Sequence, residues 1–402
     1  MTTAQQRLVC LAFVGWIGWG SLPHVSGDEP LRHRLSHTNP SPAPVLPAHS
    51  SFPRLAADFE PQSALVLSVS DWQPHHAPIL MQIAQKTRGH VELLILCNDQ
   101  KQIAQTLTWL ADIADSCSHV KFAILELDTI WLRDFAPFFL QTAKGSQLVD
   151  FYYVGERPQD DRMPHRWSER TSTPLKEVPF TLQGGNLLSN GQHLAITTER
   201  IFIDNAIQFP NPLPGTDPRA DARKIVTDAI IDGFNLRELV ILDYLQSEAT
   251  KHADMFCNFL NEHTVVMASV DPRQDPINAA ILDRNARRLQ SVVVDGKPLE
   301  VHRIQTPARD GESWSAFANV IIANDLLLMP VYQSDAPALV KAAVETYQRL
   351  LPEHTIETVD ITTFKQLQGE LHCSSMNLPK FSATLPNLIS FADAMQKSNP
   401  QQ

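Results

Sequence analysis

The chain has 402 residues, 43% of them hydrophobic and 19% charged, with a formal net charge of −11. This is the composition of an ordinary globular protein with enough chain for a large core. The acidic balance argues against a nucleic-acid or anionic-membrane surface and mildly favours cationic ligands.

The first 27 residues are set out like a secretory signal peptide. MTTAQQR carries one positive charge, LVCLAFVGWIGWGSL is an apolar run, and HVSG places Val25 and Gly27 at the −3 and −1 positions of a cleavage site. The run is shorter than the ~20 residues of a membrane span. The expected location is therefore secreted or periplasmic, with no membrane association after cleavage; an uncleaved anchor is the alternative. Residues 28–54 are rich in Pro, Ser and His without periodicity and read as a disordered linker. A single domain is expected over 55–390, followed by a polar tail over 391–402.

Beyond the leader, the cysteines are Cys97, Cys117, Cys257 and Cys373. An exported chain could pair them. However, Cys97 ends the apolar run VELLILC and Cys117 precedes HVKFAIL. In a parallel sheet those positions lie at opposite ends, too far apart for a disulfide. Free, mostly buried thiols are expected at 97, 117 and 257.

SALVLSV, APILMQIAQKTRG, VELLILC, QIAQTLTWLADIAD and HVKFAILEL then alternate strand and helix, which marks an α/β protein. A second pattern follows. RDFAPFFLQTAKGSQLVDFYYV, GGNLLSNGQHLAITTERIFI, HADMFCNFLNEHTVVMASV and FANVIIANDLLLMPVY each place a polar cluster before two β-rich runs joined by a turn. Asn190-Gly191 and Asn324-Asp325 are the turn signals. The helical stretches PRADARKIVTDAIIDGF, DPINAAILDRNARRLQ and DAPALVKAAVETYQRLL lie between them. Asp134, Asn186, Asp254, Asn319 and Cys373 head five such units at intervals of 52 to 68 residues. Near-regular spacing is a repeat signal, and repetition about an axis would gather the five heads at one centre. Five unrelated hairpins are the alternative on spacing alone.

Five short motifs carry a more specific resemblance: ELDTIWLRDFAPFFL, LQGGNLLSNG, KHADMFCNFLNEHTVVMA, SAFANVIIANDLLLMPVY and GELHCSSMNLP. In this order they resemble the agmatine deiminase and bacterial peptidylarginine deiminase family. DFEPQSALVLS is similar to that family's opening strand, and the likeness runs from about residue 57 to 380. The resemblance implies a single catalytic domain of the five-bladed, pseudosymmetric α/β propeller (pentein) type.

It also implies a chemistry that suits the residue types. A guanidinium is planar, cationic and rich in N–H donors, and carboxylates match it with charge-assisted hydrogen bonds. Asp134 and Asp254 would clamp it, and Cys373 would attack its central carbon as a thiolate. His252 would act as general acid and then general base. A covalent thiouronium would divide the reaction in two. Trp131, Arg133, Gly184, Gly185, Asn186 and Asn319 are the expected substrate-binding residues, with His372 and Gln183 behind them. No cofactor or metal is implied. The partner would be a small molecule or peptide bearing a guanidinium, and a homo-oligomer is allowed.

Each residue has a plainer reading. Cys373 could be a structural thiol, but its flanks His372, Ser374 and Ser375 are polar. His252 and Asp254, two apart and on one face of a strand, could be metal ligands, although no further cluster has ligand spacing. Arg133 and Asp134 could form a surface pair, Gly184-Gly185 a plain turn, and Asn319 a hairpin cap.

Three departures from the family bear on the substrate. Gln183 stands where agmatine deiminases usually carry Glu, Ala136 replaces the usual Gly, and IFIDNAIQFP replaces an Asn-Arg-Asn segment. Guanidine chemistry survives these changes; a preference for agmatine is weakened. The expected activity is conversion of an arginine-type side chain to citrulline and ammonia, with agmatine deiminase the runner-up. A Cys-His amidase leaves the two aspartates without a role. A non-catalytic guanidinium-binding module would not need every reactive position kept.

Overall fold

In the computed structural model, which describes residues 52–153, 155–205, 218–309, 314–367 and 369–398, five sheets share one construction. Residues 1–51, which hold the expected signal peptide and most of the expected linker, lie outside the described residues. In each sheet a first strand pairs antiparallel with a second, and the second pairs parallel with a third. The triplets are Phe138–Thr142, Gly145–Tyr152 and Leu175–Thr181; Leu188–Ser189, Leu194–Thr198 and Glu238–Leu242; Cys257–Phe259, Thr264–Ser269 and Glu300–Gln305; and Ile321–Ala323, Leu326–Val331 and Thr355–Asp360. The fifth joins distant parts of the chain: Ser375–Pro379 pairs with Gln62–Ser68, which pairs with Glu92–Cys97. Val120–Ile124 and Ile389–Ser390 extend it.

A parallel pair needs a crossover, and here each one contains a helix. The helices Ala77–Thr87, Met163–Thr171, Pro218–Phe234, Pro276–Gln290 and Pro337–Leu350 fill that place. Helical spacing explains the first: Ile79, Leu80, Ile83 and Ala84 are buried against the fifth sheet. The fourth begins at Asp275, whose carboxylate accepts from the Asn278 backbone N–H at 3.1 Å, with Pro276 in the first helical position. Middle strands such as Gln62–Ser68 are buried on both faces: Leu65 and Leu67 share a core with Ile79 and Leu80 of a helix, and Ala64 and Val66 share one with Leu148 and Trp167.

Two boundaries differ from the sequence reading. The Asn190-Gly191 turn spans residues 190–193, because the Asn190 side chain accepts from the backbone of Gln192 and Leu194 at 2.8 and 3.0 Å. The end of the chain is not a polar tail throughout. Phe391–Ser398 is a helix, and Phe391 and Ala394 are buried in the core beside the fifth sheet. Among the described residues the four cysteines, Cys97, Cys117, Cys257 and Cys373, are all free and buried.

The five polar heads keep equivalent places. Asp134 precedes the first hairpin, Asn186 the second, Asp254 the third, Asn319 the fourth and Cys373 the strand Ser375–Pro379.

Candidate active site

Each head sits on one tight turn just before a first strand. Asp134 is on the turn Leu132–Phe135, and Cys373 is on the 3₁₀ turn His372–Ser374. The Ser374 hydroxyl donates to the Leu371 carbonyl at 2.8 Å, and the Ser375 hydroxyl donates to the His372 carbonyl at 2.9 Å. These bonds fix the turn that presents the thiol. His252 stands at the start of another such turn, Ala253–Met255, and Asp254 lies within it, so the two do not share a strand. The turn still aims both inward.

The convergence is measured at Gly185. A Cβ built there would lie 2.9 Å from His252 Nδ1, 3.0 Å from Asp254 Oδ2 and 3.2 Å from Asp134 Oδ1. Cys373 Sγ is 3.7 Å from Asp254 Oδ2, and His252 Nδ1 is 3.6 Å from Asp134 Oδ1. Several polar atoms here are buried without a hydrogen-bond partner: Asp134 Oδ1, Asp254 Oδ1, and both ring nitrogens of His252. Unpaired buried polar atoms are costly, and four of them belong to these three side chains. Two carboxylates and a histidine around one point suit a compact, donor-rich cation.

The protein's own charges disfavour the thiolate. Burial, then repulsion from Asp254 and Asp134, pushes the Cys373 thiol well above its usual range. Burial and the charge of Asp254 likewise raise Asp134 well above the usual carboxylate range. Burial holds His252 down to about 4, against the pull of Asp254 and with a push from Arg200. At neutral pH the imidazole is uncharged.

The supporting residues sort differently from the sequence expectation. Asn319 is a brace at the nucleophile. Its Oδ1 accepts from the His372 backbone at 2.7 Å, and its Nδ2 donates to the Asp254 carbonyl at 3.2 Å and lies 3.5 Å from Cys373 Sγ. Asn186 is also engaged: its Oδ1 accepts from the Ala253 backbone at 3.2 Å and from the Thr198 hydroxyl at 3.0 Å. Arg133 does not face the site. Its guanidinium donates to Asp58 at 3.2 Å and to Asn377 at 2.7 Å, and it lines a separate cavity of about 60 Å³. Gly184 serves backbone packing, since a Cβ there would stand 2.0 Å from the Arg133 carbonyl oxygen.

A cleft of about 480 Å³ opens over the site. Trp131, Asp134, Gln183, Gly369 and Cys373 line it, together with Tyr153, Glu156, Arg157 and Arg200. Gln183 thus faces the cleft directly. The two cleft arginines carried no sequence signal. Arg157 donates to the Tyr153 hydroxyl at 2.9 Å, and Arg200 donates to Asp204 at 2.5 Å and to the Thr250 carbonyl at 3.3 Å. Glu248 was missed as well. It is buried and accepts from Thr250 N at 2.9 Å and from Lys251 N, which fixes the loop entering His252. Among the described residues the one grouping of metal-ligand type, Asp150, His165 and Glu177, shares no residue with this cleft.

Comparison with known proteins agrees with this geometry. Residues 54–379 match the family model for Porphyromonas-type peptidyl-arginine deiminase. A relative from Enterococcus faecalis named as an agmatine deiminase is 23% identical over 286 residues, covering 62% of this chain and 74% of its own. The solved C. jejuni agmatine deiminase is similar with a TM-score of 0.66 at 19% identity, covering 83% of this chain and 97% of that one. A Porphyromonas gingivalis protein named as an arginine deiminase gives 0.67 at 22% identity, over 82% and 99%.

Proposed function

The chain belongs to the Porphyromonas-type peptidyl-arginine deiminase family, a family of hydrolases acting on the C–N bonds of linear amidines, and from that premise we propose a specific reaction and substrate. Asp134 and Asp254 clamp a guanidinium, and the bound cation offsets the two charges that oppose ionisation of Cys373. His252, a neutral imidazole, takes the thiol proton as Sγ bonds to the central carbon. It passes that proton to the amino group that leaves as ammonia. The thiouronium that remains is attacked by a water whose proton His252 accepts. Collapse returns the thiol and releases a ureido product. The observation that supports this most directly is the meeting of His252, Asp254 and Asp134 at Gly185, with unpaired acceptor atoms beside the thiol.

The substrate proposed is arginine carrying a free carboxylate, either the amino acid or a C-terminal residue of a peptide. Arg157 and Arg200 line the cleft, and Gln183 is neutral where a glutamate would attract a second cation. Agmatine ends in an ammonium, which two guanidiniums disfavour. Agmatine remains the second reading, because Glu156 also lines the cleft and the curated relatives carry that name. Equivalence of the five sheets and their polar heads supports a five-bladed ring around the site. Export through the leader would suit an extracellular arginine substrate. The test is ureido-product formation by purified protein with agmatine, arginine and an arginyl peptide, with Cys373→Ala as control. Arginine substrates should be used more efficiently. A ten-fold preference for agmatine would reverse the assignment, and turnover by folded Cys373→Ala would remove the nucleophile.

A further inference from the structure

His372 stands between two carboxylates. Its Nδ1 is 2.8 Å from Asp254 Oδ2 and its Nε2 is 2.8 Å from Asp58 Oδ2. A neutral imidazole has one N–H, so one of these contacts would oppose a lone pair to an oxygen. Two donors are needed if both carboxylates are ionised. Asp58 is ionised: partial burial would raise its carboxyl, but the Arg133 guanidinium and the His372 ring hold it far below the usual range. The ring itself is fully buried.

We propose that Asp58, anchored by Arg133, holds His372 as an imidazolium, and that this imidazolium is a positioning residue for deimination. It rests on the guanidine-deiminase reading above. The ring occupies Asp254 Oδ2, which leaves Oδ1 unpaired for the substrate N–H groups. It also sets up charges that alternate in sign: Arg133, Asp58, His372, Asp254, then the substrate cation and Asp134. An imidazolium offsets the cost of keeping Asp254 charged in a buried place. The other titratable groups nearby do not compete for the ring. Asp134, on the turn packed against it, faces His252 at 3.6 Å, and Glu370 on the same segment accepts from the Tyr332 hydroxyl at 2.7 Å. Cys373 interacts with Asp254 and Asn319. Asp58 lies 314 residues from His372 in sequence, in DFEPQ, and nothing local announces the pair.

The test separates the ring's charge from the reaction. Nitrogen-15 spectra of histidine-labelled full chain should show one imidazolium that persists at pH 8, assigned by its loss in His372→Gln. Asp58→Asn removes the anion but keeps the shape. Its ring should become neutral by pH 8, and kcat/KM for the guanidinium substrate should fall at least ten-fold there and recover toward pH 6. Asp58→Glu should restore both readouts. A neutral His372 in the wild-type protein at pH 8 would overturn the proposal. So would an Asp58→Asn deficit that is the same at every pH, which is the mark of mere structural damage. A wild-type protein with a charged ring but no ureido product would instead sink the reaction reading, and the positioning role with it.

Discussion

Replacing Gly185 by alanine is a sharp probe of the site, because the perturbation is one methyl group at the point where the machinery meets. Gly185 is buried and does not lie among the residues with left-handed backbone, so alanine meets no torsional penalty. The obstacle is steric. The new Cβ would lie 2.9, 3.0 and 3.2 Å from His252 Nδ1, Asp254 Oδ2 and Asp134 Oδ1. Carbon needs about 3.5 Å or more from such atoms. The three groups must therefore retreat by a few tenths of an ångström each, away from a shared ligand. Displacement of about 1 Å between reacting groups costs ~100-fold in rate, or about 2.7 kcal/mol of transition-state stabilisation. Overpacking by one methyl costs about 1–3 kcal/mol of stability, which a folded domain survives. Gly185→Ala should thus keep a native circular-dichroism spectrum and lose about two orders of magnitude in kcat/KM in the ureido-product assay. Gly184→Ala is the counterpart. Its Cβ would collide with the Arg133 backbone at 2.0 Å, so it should lose the fold first. A folded Gly185→Ala protein within three-fold of wild-type activity would refute the convergence argument.

Three other predictions bear on the same groups. Asp134→Asn and Asp254→Asn each forfeit a charge-assisted hydrogen bond, about 1.5–3 kcal/mol, so steady-state kinetics should show at least a ten-fold loss; chelators should leave the wild-type rate unchanged. His252 takes its proton near 6.5 in the unfolded chain but near 4 when folded, so the unfolded state binds more protons over that window. Stability should be intact above pH 6.5 and fall by about 3 kcal/mol on going down to pH 4, a slope that urea titrations of His252→Gln should lack. Gln183→Glu should move the ratio of efficiencies toward agmatine, and an unchanged ratio would show that residue 183 does not sense the substrate's far end.

Much of this was legible in the sequence because periodicity and short motifs report local structure. Ile79, Leu80, Ile83 and Ala84 announced their helix, and the five polar heads announced the repeat. What stayed hidden depends on direction and on distance along the chain. Arg133 adjoins Asp134, yet successive residues on a helical turn point about 100° apart, and Arg133 faces Asp58 instead of the cleft. Asp58 joins the site only through tertiary pairing. Phe391, Ala394 and Met395 do carry helical spacing, but their short segment is interrupted by polar residues. Helix Met163–Thr171 escaped for a similar reason, since it buries little beyond Met163, Pro164 and Trp167. Arg157 and Arg200 belong to no apolar pattern, and only the shape of the cleft brings them together.

The pairing of Ser375–Pro379 with Gln62–Ser68 has a consequence for how the enzyme comes into being. Cys373 reaches its neighbours only when the strand that follows it docks on one made much earlier. Contacts so remote in sequence form late, because the closure of long loops must precede them. A ribosome-bound chain that has emerged as far as Tyr347 already contains four of the five heads but no nucleophile. Strand Ser375–Pro379 works as a latch, and the thiol arrives with it. Reactivity toward guanidine-like labels is therefore a report of finished assembly, and a partly built chain carries no exposed reactive cysteine at its centre.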